Sequence, residues 1–337
     1  MKHGANIYKY AKKCNCSIDE IVDFSSNINL YEPQENITIA TETIHRYADS
    51  NYSSLKEVIA KNYDIQSDEI ALYNGATAAI YALIKSLKRK DVFLYAPLFG
   101  EYERACREAK KHIYKINRIT DEESEPTEDS VVIFVNPSTP EGAYSDLSTL
   151  FEMWVQKECV IIIDESFLEF EALPSIRKKI KEYKKLYIIQ SFSKFYSCGG
   201  VRVGAIFANK KSIKKLSQPL WNLSSFDVAF LEQRLSDSAF KERSRALHQI
   251  QKQSLWKILE GSKLFEEIVE SDANFILTYS SQGEALFKHL LKDKILVRKC
   301  GSFDYLSNNW LRFALKDKEA NSRLNVSLET FIKNNNI

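Results

Sequence analysis

The sequence predicts an α/β protein: a mainly parallel sheet covered by helices, followed by a small α+β domain. Three observations predict it. From Ile70 onward, short apolar runs alternate with helix-like stretches. One run, Cys159-Val160-Ile161-Ile162-Ile163, is apolar at every position, as a strand covered on both faces must be. After Ser217 the texture changes to long helical patterns with a few short strands, which marks a second unit.

Residues 1–30 read as irregular, apart from a short helix from Ile7 to Lys13 and an N-cap at Ser17-Ile18-Asp19-Glu20. Val22 to Asn29 is a short extended piece rich in amides and hydroxyls. Ile70 to Tyr73 reads as a strand, Asn74-Gly75-Ala76-Thr77 as a turn, and Ala78 to Leu87 as a helix. Strands follow at Asp91–Tyr95, His112–Ile116, Val131–Val135, Cys159–Ile163, Leu186–Gln190 and Val203–Ala208, with helices at Glu101–Lys110 and Leu147–Gln156. In the second unit, Trp221 begins a loop and one long helix is expected from about Phe226 through Leu259. Strands are expected at Asn274–Thr278, Ile295–Arg298 and Trp310–Ala314, and helices at Gly283–Leu291 and Glu319–Ile332.

Composition narrows the function classes. With 337 residues, 44% of them hydrophobic, the chain can build a sizeable core. A formal net charge of +2 argues against a general nucleic-acid binder. The six cysteines form no Cys-x-x-Cys pair and the close pair, Cys14 and Cys16, has no nearby His, so no metal site is expected. Free thiols, the absence of any run near the ~20 apolar residues of a membrane helix, and an N-terminus without an apolar signal core together point to a soluble cytoplasmic protein.

In a parallel sheet, ligands bind beyond the carboxyl ends of the strands. The chemically useful residues of this chain gather there. Ser191-Phe192-Ser193-Lys194 follows the strand Leu186–Gln190 and offers an amine for Schiff-base chemistry between two hydroxyls, with Arg202 eight residues on. Gly75-Ala76-Thr77 reads either as a plain turn or as a helix N-terminus that cups a phosphate. Asp164 ends a buried strand, either as a helix cap or as a partner for a protonated ring nitrogen. Phe99 is either an ordinary core aromatic or a ring that stacks on a planar ligand. A lysine, a carboxylate, a stacking aromatic and a phosphate cup are the parts a protein supplies to pyridoxal 5′-phosphate.

With these motifs in this order, the sequence resembles the fold-type I pyridoxal-phosphate enzymes, in the branch that includes the histidinol-phosphate aminotransferases, over nearly its whole length. His3-Gly4-Ala5-Asn6-Ile7-Tyr8 and Asp23-Phe24-Ser25-Ser26-Asn27-Ile28-Asn29 are most similar to the L-threonine-O-3-phosphate decarboxylases of cobamide biosynthesis. The resemblance implies a seven-stranded sheet in a large cofactor domain, residues 39–218. It implies an N-terminal arm that contributes to a small domain, residues 1–38, and a small C-terminal domain, residues 219–337. It further implies that Lys194 bonds the cofactor, that Asp164 faces its pyridine nitrogen, and that Phe99 stacks on its ring. Gly75, Ala76, Thr77, Ser191, Ser193 and Arg202 would hold its phosphate, and Tyr47 would reach the phosphate of a partner subunit in a homodimer. Arg312 would pair with the substrate α-carboxylate and Arg298 with a substrate phosphate. His3, Asn29 and Asn222 would line the substrate site.

Two positions depart from the family pattern. Asn136-Pro137-Ser138-Thr139-Pro140-Glu141-Gly142 has Thr139 where an asparagine usually bonds the cofactor's ring oxygen, and Phe167 stands where aminotransferases often carry a tyrosine on the same oxygen. The function expected is decarboxylation of phosphothreonine or phosphoserine to an amino-alcohol phosphate, with transamination of histidinol phosphate as the alternative.

Overall fold

The computed structural model describes residues 6–32, 37–120 and 124–335. Its frame is a seven-stranded sheet. Across the sheet the strands run Ile70–Asn74, Val203–Ala208, Leu186–Ser191, Val160–Asp164, Val131–Val135, Asp91–Ala96 and His112–Asn117. Every pairing is parallel except the two made by Val203–Ala208, which runs antiparallel to both neighbours. The sheet is therefore mainly parallel, as its unbroken apolar runs require.

Side chains alternate between two cores, one on each face. Within one strand, Ile161 and Ile163 enter one core beside Trp154, Phe134 and Phe207. Val160 and Ile162 enter the other, beside Leu83, Tyr102 and Ile206. A period of two with both faces apolar leaves no polar side, so the strand reads as a continuous hydrophobic run. Leu223, Leu231, Leu235 and Phe240 also join the first core, which thus extends past the limit expected at residue 218.

A second, antiparallel sheet runs Arg298–Lys299, Trp310–Ala314, Phe275–Tyr279 and Glu267–Val269. Its core includes Ala11, Ile21 and Phe24 from the start of the chain, packed with Leu286, Leu296, Phe313 and Phe331. The short strand Val22–Asp23 pairs in parallel with Ile295–Leu296. This carries the N-terminal segment, more than two hundred residues away in sequence, to the edge of the cleft between the sheets.

Three expectations are corrected. The single helix over Phe226–Leu259 is two helices, Ser225–Ser236 and Phe240–Ser262. Between them Asp237 is extended (ψ 98) and its carboxylate accepts from Ala239 N, a local side-chain bond that competes with the helix ladder. The strand over Ile295–Arg298 is divided: Ile295–Leu296 pairs with the N-terminal strand and Arg298–Lys299 with Trp310–Ala314. The turn expected at Asn74–Thr77 is shorter, because the helix Gly75–Ser86 starts at its first glycine.

Candidate active site

Three strands of the large sheet end at one place. Asp164 closes Val160–Asp164, Ser191 closes Leu186–Ser191, and Phe99 lies just beyond Asp91–Ala96. Between these ends and the second sheet is a cleft of about 200 Å³, lined by Phe99, Thr139, Asp164, Phe167, Lys194, Arg298 and Arg312, with Ser25 and Asn27 from the N-terminal segment.

Lys194 stands at the floor of the cleft, its Nζ 3.9 Å from the centroid of the Phe167 ring. Burial lowers its pKa to about 8; Asp164 opposes the shift, and the charges of Arg312 and Arg202 add to it. An amine with that pKa is neutral in roughly one molecule in ten at pH 7, far more than an ordinary lysine, and the neutral form is the one needed for attack on a carbonyl. Asp164 is 5% exposed. Its Oδ2 accepts from the Tyr102 hydroxyl at 2.7 Å and its Oδ1 from Ser166 N at 2.9 Å. Burial, then the adjacent Asp164 charge, pushes the Tyr102 phenol well above its ordinary pKa, so it stays protonated and donates.

Beside the lysine is a second group of donors. The helix Gly75–Ser86 presents its N-terminus, with Ala76 and Thr77 in the first turn. Gly75 has φ +81, and a Cβ there would stand 2.5 Å from Arg202 Nη2. The Arg202 Nη1 donates to Ser193 Oγ at 3.2 Å and to Gly199 O at 3.3 Å, while its backbone N donates to Asp227 Oδ1 at 3.1 Å. Ser191 lies in register with Gly204, where a Cβ would stand 2.2 Å from Ala76 N. Glycine at 204 thus lets the helix N-terminus come down onto the strand end. The result is a cup of backbone amides, a hydroxyl and a guanidinium, suited to a phosphate.

The opposite wall is the second sheet. Arg312 is 7% exposed, lies 4.4 Å over the Phe275 ring, and donates through Nη1 to Thr139 Oγ1 at 3.1 Å. Burial lowers its pKa to about 10, with Cys300 opposing and Arg298 adding to the fall. Arg298 is its cross-strand partner in register, and donates through Nη2 to Ser302 Oγ at 2.8 Å. Two neighbouring guanidiniums at one wall repel each other until anionic groups lie between or beside them.

Not every expected residue faces the cleft. The Asn29 amide donates to Phe195 O at 2.7 Å and Ser244 Oγ at 2.5 Å, and its backbone N donates to Lys194 O at 2.9 Å. It braces the lysine loop from behind, and Ser25 and Asn27 of the same stretch supply the lining. Asn222 donates to Leu72 O at 3.0 Å, outside the lining residues. Tyr47 is 82% exposed and stacks on Trp221 at 4.9 Å, away from this cleft. His3 lies outside the described residues. Tyr102 and Ser302 carry no sequence motif, and Asn27 lies in the Asp23–Asn29 stretch in which Asn29 is the residue expected at the site. Only the placement of the helix Glu101–Glu108 under the Asp164 strand exposes the role of Tyr102. Among the described residues, no cluster of three His, Cys, Asp or Glu side chains could hold a metal.

Comparison with known proteins places this geometry. A family model described as aminotransferase class I and II matches residues 19–327. The chain is 30% identical to the adenosylcobalamin biosynthesis bifunctional protein CobDQ of Leptospira interrogans; the match takes in 96% of this chain but only 40% of that relative's length. It is 24% identical to the threonine-phosphate decarboxylase of Salmonella typhimurium, over 98% of this chain and 96% of the relative. Among solved structures, the histidinol-phosphate aminotransferase of Clostridium acetobutylicum superposes with a TM-score of 0.83 at 28% identity, covering 93% of this chain and 100% of that one.

Proposed function

Because the chain belongs to the aminotransferase class I and II family of fold-type I pyridoxal-phosphate enzymes, we propose that it decarboxylates an O-phosphorylated amino acid, releasing an amino-alcohol phosphate. The cofactor is pyridoxal 5′-phosphate. The residues present fit it: Gly75 leaves a cradle against Arg202 that any Cβ would fill, and both Asp164 oxygens are already oriented within electrostatic reach of Lys194. When bound, it supplies an electron sink for the pair released as a bond to Cα breaks.

The chain's own residues then divide the work. Lys194 would provide the amine that holds the cofactor aldehyde, and its Nζ would be the group placed to deliver a proton to the substrate Cα. Asp164 would hold a proton at the ring nitrogen, Phe99 would stack on the ring, and Gly75, Ala76, Thr77, Ser191, Ser193 and Arg202 would cup the phosphate. Thr139 already accepts a hydrogen bond from Arg312, which leaves its own hydroxyl proton free to reach the ring oxygen. Phe167 gives the lysine a ring face and no donor. Arg312 orients the substrate carboxylate, and that orientation selects the bond to be broken. Tyr47, exposed beside Trp221, would extend to a partner subunit's cofactor phosphate in a homodimer. The proposed division is residues 1–38, 39–218 and 219–337, with Leu223, Leu231, Leu235 and Phe240 of the last part packing into the core of the large domain, and the proposed place of work is the cytoplasm. Through its likeness to CobDQ, it serves cobamide biosynthesis.

The observation that carries the reading is the cross-strand pair Arg298 and Arg312, with Ser302 beside it. That wall suits a substrate with both a phosphate and a carboxylate. Histidinol phosphate itself has no carboxylate, so in a transamination only the 2-oxoglutarate and glutamate half-reaction would use Arg312, and the substrate panel decides between the two. The test is a substrate panel. O-phospho-L-threonine or O-phospho-L-serine should turn over without 2-oxoglutarate. Turnover of histidinol phosphate that requires 2-oxoglutarate and forms glutamate would replace the decarboxylase with an aminotransferase.

A further inference from the structure

Lys115 lies on His112–Asn117, the edge strand of the large sheet, in sequence and function remote from the cleft. Its ammonium is nevertheless the centre of a three-charge bridge between the two sheets. Nζ stands 2.9 Å from Glu103 Oε2, on the helix Glu101–Glu108, and 2.6 Å from Asp304 Oδ1, in the segment 300–309 that joins two strands of the second sheet. Glu103 is itself held by Arg107. Lys115 and Asp304 are about one-third exposed, and Glu103 is nearly buried, so the pairs are less screened than open surface pairs.

What Asp304 anchors matters more than the pair itself. The two residues before it, Ser302 and Phe303, line the cleft. Ser302 Oγ accepts from Arg298 Nη2 at 2.8 Å, and the Arg298 guanidinium lies 5.5 Å from the Phe303 ring centroid. The segment's internal backbone bonds are few: Phe303 N to Cys300 O at 2.9 Å and Leu306 N to Phe303 O at 3.4 Å. A loop with little ladder of its own takes its position from whatever ties down its tip. We infer that Lys115 is a positioning residue: through Asp304 it latches the 300–309 loop of the second sheet to the edge of the large sheet, and so fixes Ser302 and Phe303 around Arg298. The consequence for substrate rests on reading Arg298 as the phosphate site, whereas the latch itself does not.

The test uses the full-length holoenzyme and two variants, Lys115→Met and Asp304→Asn. Exposed ion pairs contribute up to about 1 kcal/mol, or about fivefold. Each variant is therefore expected to speed amide hydrogen exchange in 300–309 by about twofold to fivefold. Each should raise KM for O-phospho-L-threonine by a similar factor with kcat little changed, and the double variant should go no further than either single one. A mere field effect on a dianionic substrate would behave differently: losing Lys115 would raise KM, and losing the Asp304 charge would lower it. Unchanged exchange in the loop, or KM moving in opposite directions in the two variants, overturns the inference. If O-phospho-L-threonine is not a substrate at all, the exchange comparison still decides on the latch, and the substrate reading fails separately.

Discussion

The surroundings of the Lys194 amine make its charged form costly. Burial and two guanidiniums lower its pKa to about 8 against the single favourable charge of Asp164. The linkage has a definite sign. Between about pH 8 and the ~10.4 of an unperturbed lysine, the unfolded chain binds the proton that the folded one has released, so folded stability rises with pH across that window. Urea denaturation of the cofactor-free protein should show this rise, and Lys194→Met should flatten it. The same variant should also remove turnover and the covalent cofactor absorbance. Tyr102 is the second test at this scale. Tyr102→Phe deletes a 2.7 Å bond to a carboxylate that is 5% exposed. A cost of about 1–3 kcal/mol in stability is expected, together with weaker retention of cofactor, measured by urea titration and dialysis. Lys194, Asp164 and Arg202 were legible in the sequence because each sits in a local motif at a strand end. Tyr102 was not, since its partner is 62 residues away and nothing local distinguishes it from a core tyrosine. Asn29 misleads for the opposite reason. Its amide looks available in a polar stretch, yet the fold uses it on Phe195 and Ser244.

Among elements, the helix Gly75–Ser86 and the strand Val203–Ala208 act together. Gly75 takes φ +81 and leaves room for the Arg202 guanidinium, and Gly204 lets Ala76 N approach the strand. Gly75→Ala should therefore cost affinity for the cofactor phosphate, by about tenfold or more, since it adds backbone strain and a clash at a charged donor. Gly204→Ala should be more damaging still, because its Cβ would meet backbone, which cannot swing aside as a side chain can. Equilibrium dialysis of pyridoxal phosphate against both variants measures the order. Most strands of the large sheet could be read from apolar runs, since burial on both faces leaves no other pattern. The break at Asp237 and the division of Ile295–Arg298 could not. Helical periodicity runs on through 237, where the Asp237 carboxylate bonds Ala239 N at the helix end; Val297 carries no mark that its two neighbours pair with different sheets.

At the scale of the molecule, two sheets divide the chemistry. The large sheet supplies the lysine, the carboxylate and the phosphate cup; the second sheet supplies the two arginines. The N-terminal segment is bound into the second sheet's core through Ala11, Ile21 and Phe24, which lets Ser25 and Asn27 reach the cleft. Tyr47, Leu220 and Trp221 are large apolar side chains left exposed together in the proposed homodimer face. Sedimentation should give about twice the 38.9 kDa chain mass, and Trp221→Glu should shift it toward the single-chain value while weakening cofactor retention. On the proposed reading, the choice of reaction lies in how Arg298 and Arg312 would present the substrate to Lys194. It is read most directly by following one carbon. With O-phospho-L-threonine labelled with carbon-13 at C1 and no added 2-oxoglutarate, the label should leave as carbon dioxide, one equivalent for each amino-alcohol phosphate formed. Label retained in a phosphorylated oxo acid, appearing only when 2-oxoglutarate is supplied, would contradict decarboxylation.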